Sequence, residues 1–392
     1  MIKKDTIIGI VGAGAMGTGI ALVAATSGHK VIVFDVNSAA LSKSKAQMSK
    51  TLKSLAEKGK LSAHASEEIS HRVSFVDYVK SFDRCGLIIE AVIENLDVKQ
   101  TIFEEVEKIA PKTCILATNT SSISISSIAS ICERPENLVG LHFFNPAVVM
   151  PLVEIIPSID TKPEIIQSLT ELMTSWGKIP VVAKDTPGFI VNKVVRPFYG
   201  EALRIYEEGI ADFATIDWAM KHYGGFRMGP FELMDFIGND VNFKVTQTVY
   251  ADTFYDARYK PSITQQRLVE SGRYGRKEGI GYYDYQEGAN QTLPITDEEL
   301  GQYIFNRILC MLINEAAEMV HYKIASYQDV DIAVRKGVNY PKGLLQWADE
   351  IGIDKVYKTI KDLREEYNED RYRPSVLLKR MVERNQKFYN EG

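Results

Sequence analysis

A glycine-rich turn near the amino end constrains the fold of this chain more than any other feature. It follows the β-branched run TIIGIV, opens a helix-length segment, and consists of Gly12, Ala13, Gly14, Ala15, Met16 and Gly17. The first glycine permits a tight turn, the second lets backbone amides approach a pyrophosphate, and the third lets the helix pack closely on the strand. This context predicts a dinucleotide-binding unit.

The end of the second predicted strand indicates which dinucleotide is bound. Asp35 closes the strand KVIVFDV and lies 18 residues beyond Gly17. A carboxylate near this place bonds both hydroxyls of the adenosine ribose and would repel a 2′-phosphate. The pattern therefore favours NAD over NADP, and the alternative is a solvated aspartate in a strand-ending turn.

The rest of the first half extends this unit into a doubly wound α/β domain. Seven apolar runs predict strands, and they read TIIGIVG, KVIVFDV, RVSFVD, GLIIEAV, CILATNT, LVGLHFF and IPVVAK. Helix-length segments separate them, which is typical of a parallel sheet covered by helices. Turn residues at 185–188 end the pattern, and the chain becomes mainly helical. We predict a Rossmann-type domain over residues 1–185.

The helical part contains an internal repeat. Sliding the chain by 114 positions places Asn192 on Asn306, and the same offset aligns several aspartates and glycines without a gap. Among the aligned pairs are Asp217 with Asp331, Gly229 with Gly343, Asp235 with Asp349, and Gly238 with Gly352. Shared composition would not fix these residues at matching positions. We predict an all-α domain in two tandem copies, over 186–290 and 300–392.

Composition limits the classes of partner. The net charge of −5, from 46 basic and 51 acidic residues, gives no basic field for nucleic acid. No run of about 18 apolar residues is present, so we expect no membrane span. The four cysteines are scattered and no metal-ligand spacing occurs, which predicts reduced thiols and no metal. The amino terminus lacks a signal-peptide pattern, so we expect a cytoplasmic protein.

A local cluster of lysines departs from the acidic average. Six lysines against one glutamate fall between Lys43 and Lys60, in the segment KSKAQMSKTLKSLAEKGK. Most runs of this kind are solvated helix faces. The neighbouring motifs nevertheless favour a site for an anionic ligand.

One histidine lies where a ligand is expected. His142 lies near the end of the run LVGLHFF, and Glu154 comes 12 residues later in a second apolar stretch. Ligands of doubly wound sheets bind at the carboxyl ends of the strands, where TNTSS at 118–122 also ends a strand. A histidine backed by a carboxylate suits general acid–base catalysis, as in the oxidation of an alcohol. The alternative is a structural histidine.

These motifs together resemble the L-3-hydroxyacyl-CoA dehydrogenase family, which includes 3-hydroxybutyryl-CoA dehydrogenases. The resemblance rests on GAGAMGTGIA, EAVIENLDVK, TNTSS, GLHFFNP followed by LVEII, DTPGFIVN and GRKEGIGYYDY, over residues 7 to about 285. It implies an NAD-dependent oxidoreductase that converts (S)-3-hydroxyacyl-CoA to 3-oxoacyl-CoA, or the reverse. Fatty-acid β-oxidation and reduction of acetoacetyl-CoA are both compatible pathways.

The resemblance also implies roles for individual residues. His142 would be the general base, Glu154 its partner, and Ser121 a hydrogen-bond donor to the reacting oxygen. Asn192 would contact the substrate carbonyl region. The residues implied at the NAD site, besides the glycine turn, Asp35 and Ser121, are Glu94, Lys99, Asn145 and Lys277. Thr51 and Lys58 would touch coenzyme A.

Some features depart from the family pattern or leave the substrate open. Val148 and Pro151 replace the usual Pro and Lys between the dyad residues, and the chain continues about a hundred residues beyond GYYDY. The added copy would pack on the first as a second subunit does, giving a monomer with an internal pseudo-dimer or a further homodimer. Lys193 leaves open a hydroxy-acid dehydrogenase that uses a lysine. The motifs are also compatible with a sugar acid, a free 3-hydroxy acid or 3-hydroxyadipyl-CoA as substrate, and with a structural lens-type role.

Overall fold

The structure is a computed structural model that describes residues 2–389 and divides them into two compact units, one up to Phe189 and one from Ile190. The first unit is built around a single sheet, and the second consists of helices. This agrees with the predicted order of an α/β domain followed by an all-α region.

The first unit alternates strands with helices. Its elements are β1 (Ile7–Val11), α1 (Ala15–Thr26), β2 (Val31–Phe34), α2 (Ser38–Glu57), α3 (Ala63–His71), β3 (Val73–Val76), β4 (Cys85–Glu90), α4 (Leu96–Ile109), β5 (Ile115–Thr118), α5 (Ile125–Ala129), β6 (Leu138–Phe143), β7 (Leu152–Pro157), α6 (Pro163–Ser175) and β8 (Ile179–Val182).

The sheet has the strand order β3-β2-β1-β4-β5-β6-β7-β8. Strands β1 to β6 run parallel in the order typical of dinucleotide-binding domains, which places the crevice for the ligand where the order reverses, beside β1. Strand β7 pairs with β6 antiparallel, and β8 follows β7 in parallel.

Strand β7 was not among the seven predicted strands. The sequence LVEII is only an apolar stretch in the sequence analysis, because an apolar run this short does not distinguish a strand from a buried helical segment. In the structure five of its six residues are buried, including Glu154. The predicted all-parallel sheet therefore contains one antiparallel pair, β6 with β7, and this pair carries His142 and Glu154.

The second unit contains eleven helices within the described residues. They are α7 (Val191–Val194), α8 (Arg196–Glu207), α9 (Phe213–Gly224), α10 (Pro230–Ile237), α11 (Asn239–Asp252), α12 (Ile263–Glu270), α13 (Glu298–His321), α14 (Tyr327–Gly337), α15 (Leu344–Ile351), α16 (Ile353–Tyr367) and α17 (Val376–Glu383). Helix α13 packs against α8, α9 and α14 to α17, and two thirds of its residues are buried. It is the central element of this unit.

Two buried carboxylates in the second unit make the same set of hydrogen bonds. Each accepts from two consecutive backbone N–H groups at the start of a helix and from one tyrosine hydroxyl. The donors are Phe231, Glu232 and Tyr283 for Asp217, and Leu345, Gln346 and Tyr389 for Asp331. Burial raises the pKa of both carboxyls, to about 7 for Asp217.

Two other contacts in this unit are reciprocal. Tyr259, in the 3₁₀ turn before α12, donates to Glu315 on α13. Tyr372, in the 3₁₀ turn before α17, donates to Glu201 on α8 at 2.5 Å. Because Glu315 lies 114 positions after Glu201, each half of the helical region supplies a tyrosine to the matching glutamate of the other half.

The four cysteines lie in the protein interior and are not paired in disulfides. Burial raises the pKa of the Cys85, Cys132 and Cys310 thiols to about 12 and raises that of Cys114 as well. The prediction that these are free core thiols is confirmed. Within residues 2–389, no helix is both long and apolar enough to cross a lipid bilayer.

Candidate active site

The glycine turn between β1 and α1 has the geometry that a bound dinucleotide requires. Gly12 has φ +105°, a conformation that residues with a side chain rarely adopt, and its N–H donates to the carbonyl of Phe34. A Cβ on Gly17 would lie only 1.9 Å from the Gly12 oxygen. A Cβ on Gly14 would meet nothing within 4 Å. The turn is therefore tightly packed at Gly17 and open at Gly14, where a pyrophosphate would lie.

Asp35 lies at the end of β2 with its carboxylate turned towards this loop. Its Oδ2 accepts from the N–H of Ala13 at 2.8 Å, and its Oδ1 accepts from the N–H of Asn37 at 2.9 Å. Asn37 in turn caps α2 by accepting from Ala39 and Ala40. The carboxylate is held beside the glycine turn, where the ribose of NAD is expected.

A buried ion pair organises the next strand ends. Lys99 on α4 is only 1% exposed, and its ammonium donates to Glu90 at 2.7 Å and lies 3.3 Å from Glu94. Glu90, at the end of β4, also accepts from the hydroxyl of Thr118 on β5. Lys99 thus reaches the predicted cofactor site through Glu94, and its implied direct contact with NAD stays a prediction.

Glu94 accepts hydrogen bonds from the hydroxyl-bearing residues that follow β5. Its Oε1 accepts from the Thr120 hydroxyl at 2.6 Å, from the Ser121 N–H at 2.8 Å, and from the hydroxyls of Ser121 and Ser122 at 3.2 Å. Burial alone would raise the pKa of Glu94, but the Lys99 charge and these hydrogen bonds lower it overall. The ionised carboxylate fixes the loop that carries Ser121.

His142 and Glu154 are direct neighbours across the antiparallel pair β6–β7. The Nδ1 atom of His142 lies 2.7 Å from Oε2 of Glu154, and the two residues are 6% and 0% exposed. An ionised carboxylate only accepts hydrogen bonds, so Nδ1 carries the proton and Nε2 is the nitrogen left for a substrate. The rings of Phe144 and Phe189 flank the imidazole at centroid distances of 4.5 and 5.9 Å.

A buried lysine shapes the loop between these two strands. Lys178 precedes β8 and donates to the carbonyls of Ala147 and Met150, at 2.5 and 2.8 Å. It is 8% exposed and forms no ion pair with a described residue, so burial lowers its pKa. Two backbone carbonyls compensate its charge, which fixes the loop that carries Asn145.

Two cavities extend from the glycine turn along α2. The first, of about 530 Å³, is lined by the turn itself and by Lys43, Thr51 and Asn145. The second, of about 750 Å³, shares Thr51 with the first and is also lined by Lys50, Lys58, Lys60 and Lys178. Four of the six lysines in the predicted cluster therefore face a cavity. The other two are Lys45 and Lys53, and Lys53 pairs weakly with Glu57 at 4.0 Å.

Of the seventeen predicted site residues, fifteen lie in the first unit and two in the second. Asn192 is half-buried on α7. Lys277 lies in the 3₁₀ turn Arg276–Glu278 and forms an ion pair of 2.6 Å with Asp240. Their contacts with NAD and substrate stay predictions.

Comparison with known proteins assigns both units to one family. Residues 7–186 match the family described as 3-hydroxyacyl-CoA dehydrogenase, NAD binding domain. Residues 188–285 and 303–391 each match the family described as 3-hydroxyacyl-CoA dehydrogenase, C-terminal domain. The chain belongs to the 3-hydroxyacyl-CoA dehydrogenase family. It is an NAD-dependent oxidoreductase of 3-hydroxyacyl-CoA, as the resemblance implied.

Individual family members match over different lengths. The 3-hydroxyadipyl-CoA dehydrogenase of Escherichia coli is 35% identical over 97% of this chain and 98% of its own. A crystal structure of 3-hydroxybutyryl-CoA dehydrogenase from Escherichia coli superposes with a TM-score of 0.91 at 34% identity, with the same coverage. The (S)-3-hydroxybutyryl-CoA dehydrogenase of Ralstonia eutropha is 35% identical and matches in full, with a TM-score of 0.70, but covers 72% of this chain.

The sequence analysis did not identify Glu90 and Lys178 as supporting residues of the dehydrogenase site, whereas it placed Asn119 at this edge of the sheet. Asn119 accepts from the N–H of Phe143 at 2.8 Å and so ties the end of β5 to that of β6 beside His142. It stood in the quoted TNTSS motif, which was a usable signal. Lys178 gave no signal, because its partners are backbone carbonyls that no sequence pattern reveals.

Replacing Gly14 by alanine separates cofactor binding from folding. The backbone φ of Gly14 is −71° and its Cβ position is free of contacts, so the melting temperature should change by less than about 2 °C. The added methyl group would occupy the space next to the pyrophosphate, so NADH should bind at least tenfold more weakly in a fluorescence titration. The matched variant Gly17→Ala must displace the turn and should lose both stability and NADH binding. Unchanged NADH affinity in Gly14→Ala would contradict this assignment.

Proposed function

We propose that His142 and Glu154 form the acid–base pair with which this dehydrogenase oxidises the 3-hydroxyl group of an acyl-CoA. The observation that carries the proposal is their buried 2.7 Å hydrogen bond on neighbouring strands. Nε2 of His142 takes the hydroxyl proton, and Glu154 stabilises the imidazolium that results. In the reverse direction the same imidazolium returns the proton to the carbonyl oxygen.

NAD, when bound, accepts the hydride from the carbon that carries the hydroxyl group. The residues that would hold it are the turn Gly12–Gly17, Asp35, Glu94, Ser121, Asn145 and Lys277. The open space above Gly14 and the carboxylate of Asp35 beside the turn fit this cofactor. Because Asp35 carries a negative charge where NADP has its 2′-phosphate, the site should prefer NAD.

Two side chains are proposed to orient the substrate. Ser121 is proposed to donate a hydrogen bond to the reacting oxygen, and Asn192 to the carbonyl region of the thioester. Coenzyme A carries several phosphate charges, which suits the lysine-lined cavity beside Thr51 and Lys58. The second cavity is large enough for part of such a ligand.

The acyl group is proposed to be short, with 3-hydroxybutyryl-CoA as the principal substrate. A second candidate is 3-hydroxyadipyl-CoA, since a relative of that name is similar over nearly the whole chain. A sugar acid or a free 3-hydroxy acid is less favoured, because neither would need a cavity lined with lysines.

We further propose three domains, over 1–185, 186–290 and 300–392, of which the last two are copies of one helical unit. The matching hydrogen bonds of Asp217 and Asp331 support this, as does the match of one family description to two segments. In a symmetric dimer each contact occurs twice with the partners exchanged. The reciprocal contacts of Tyr259 and Tyr372 have this form, so the second copy would replace a partner subunit.

The reaction is tested by the loss of NADH absorbance with acetoacetyl-CoA. We expect rapid oxidation of NADH with this thioester and at least tenfold slower oxidation of NADPH. Free acetoacetate should turn over at least a hundredfold less efficiently, because it lacks every contact made by coenzyme A. 3-Oxoadipyl-CoA in a parallel assay decides between the two acyl groups. Equal turnover of free acetoacetate would favour a hydroxy-acid dehydrogenase instead.

Substitution of His142 tests the acid–base step. His142→Ala should lower kcat by about 10²–10⁴-fold, the usual contribution of general acid–base catalysis, while NADH affinity stays within about threefold. Glu154→Gln should lower kcat in the same direction, because an amide does not stabilise imidazolium. The exposed pair of His64 and Glu68, 3.5 Å apart on α3, offers a matched control. A kcat for His142→Ala equal to that of His64→Gln would disprove the assignment.

Truncation after Tyr285 tests the role proposed for the second copy. Removing the later residues takes Arg307 and Tyr372 away from the buried Glu201 and uncovers the faces of α8 and α9 on which α13 packs. We therefore expect the truncated protein to dimerise or to aggregate in sedimentation experiments. A truncated chain that is monomeric, active and as stable as the full chain would show that the second copy does not fill this interface.

A further inference from the structure

A polar cavity of about 500 Å³ opens in the helical unit, and none of the residues assigned above to the dehydrogenase reaction lines it. It lies where α8 approaches the 3₁₀ turns Ala257–Tyr259 and Asp370–Tyr372. Its charged side chains are those of Arg204, Glu207, Lys260, Glu369 and Arg371. Three cations and two carboxylates therefore face the same space.

Arg204 is the buried cation of this cavity. The residue is 9% exposed, yet its guanidinium donates no hydrogen bond to any residue between 2 and 389. Its nearest carboxylate is Glu201, at 3.9 Å, and Glu201 already accepts from Arg307 at 2.7 Å and from Tyr372. The guanidinium lines the cavity, so its donors are available to a ligand there.

The space beside this guanidinium is kept open by a glycine. A Cβ on Gly200 would lie 3.2 Å from the nearer terminal nitrogen of Arg204. Burial lowers the pKa of Arg204, and the charge of Arg371 lowers it further, although Glu201 acts in the opposite sense. An additional negative charge in the cavity would relieve both effects.

The other two cations also have unused capacity. Arg371 forms only long ion pairs, of 3.4 Å with Glu369 and 3.7 Å with Glu208, and its Nε has no hydrogen-bond partner. Lys260 is exposed at the rim and forms no ion pair with a described residue. By contrast, Glu207 already accepts from the Ser262 hydroxyl at 2.6 Å and from the Thr264 N–H. The cavity therefore has more unused hydrogen-bond donors than unused acceptors.

At the corresponding place in the other half of the helical region, the charged side chains are paired with one another. Residue 318, which is 114 positions after Arg204, is a glutamate. There Arg258 is paired with Asp256 at 2.6 Å, Glu318 at 3.2 Å and Glu315 at 3.5 Å. In the first half, Arg204 occupies the position that Glu318 has in the second half. Arg204 therefore does not pair with Arg371, and both arginines face the cavity.

We propose that this cavity binds a small ligand through a carboxylate or phosphoryl group held by Arg204, Arg371 and Lys260. A planar guanidinium matches the oxygens of both groups and forms paired, charge-assisted hydrogen bonds with either. The volume falls within the usual range for small-molecule sites. The site is independent of the acyl-CoA reaction proposed above.

Thermal unfolding of the full chain tests the proposal. Inorganic phosphate and glutarate are titrated separately at ionic strength held constant with KCl, with NADH and coenzyme A present in excess to occupy their own sites. We expect a saturable rise in melting temperature with at least one of the two anions. A rise with phosphate alone identifies a phosphoryl ligand, a rise with glutarate alone identifies a carboxylate, and a rise with both supports a general oxyanion site.

Variants locate the binding. Arg204→Gln should raise the dissociation constant of the effective anion about tenfold or more, as expected for a lost charge-assisted hydrogen bond. Arg335→Gln, at an exposed position on α14, is the matched control and should leave it unchanged. Lys260→Glu changes only an exposed residue at the rim and should weaken binding at least fivefold. This variant keeps the test valid if Arg204→Gln does not fold. No saturable rise, or dissociation constants equal to wild type in Arg204→Gln and Lys260→Glu, would overturn the proposal.

Discussion

The antiparallel pairing of β6 with β7 is the constraint on which the dehydrogenase site depends. It places Glu154 opposite His142 in register, so that backbone hydrogen bonds of the sheet hold the two side chains at 2.7 Å. Because a buried carboxylate without a partner is costly, the pair also fixes the register of the strands that carry it. Structure and reactivity therefore rest on the same contact.

Charged side chains also hold the loops at the ends of the neighbouring strands. Lys99 pairs with Glu90 in the interior and lies 3.3 Å from Glu94, and Glu94 accepts hydrogen bonds from the serine-rich loop after β5. Lys178 has no carboxylate partner among the described residues, and its charge is compensated by the carbonyls of the loop after β6. A charged side chain thus fixes each of these two loops, Glu94 the loop after β5 and Lys178 the loop after β6.

Much of this arrangement could be predicted from the sequence, because local patterns encode it. The glycine turn, Asp35 and the strand ends follow from spacing, and six parallel strands appear in the predicted order along the chain. The direction of β7 could not be predicted, since an apolar run of six residues fits either direction. The burial of Lys178 and Arg204 could not be predicted either, because the residues next to them in the sequence do not show which groups surround them in the fold.

The exchange of Glu318 for Arg204 between the halves has a wider consequence. In a homodimer one codon specifies both sides of an interface, so a substitution that opens a cavity on one side opens it on the other as well. In the proposed pseudo-dimer a single chain carries both sides and therefore specifies each residue separately. It can keep one side closed by Arg258 and its acidic neighbours, while the other becomes free to acquire a different chemistry.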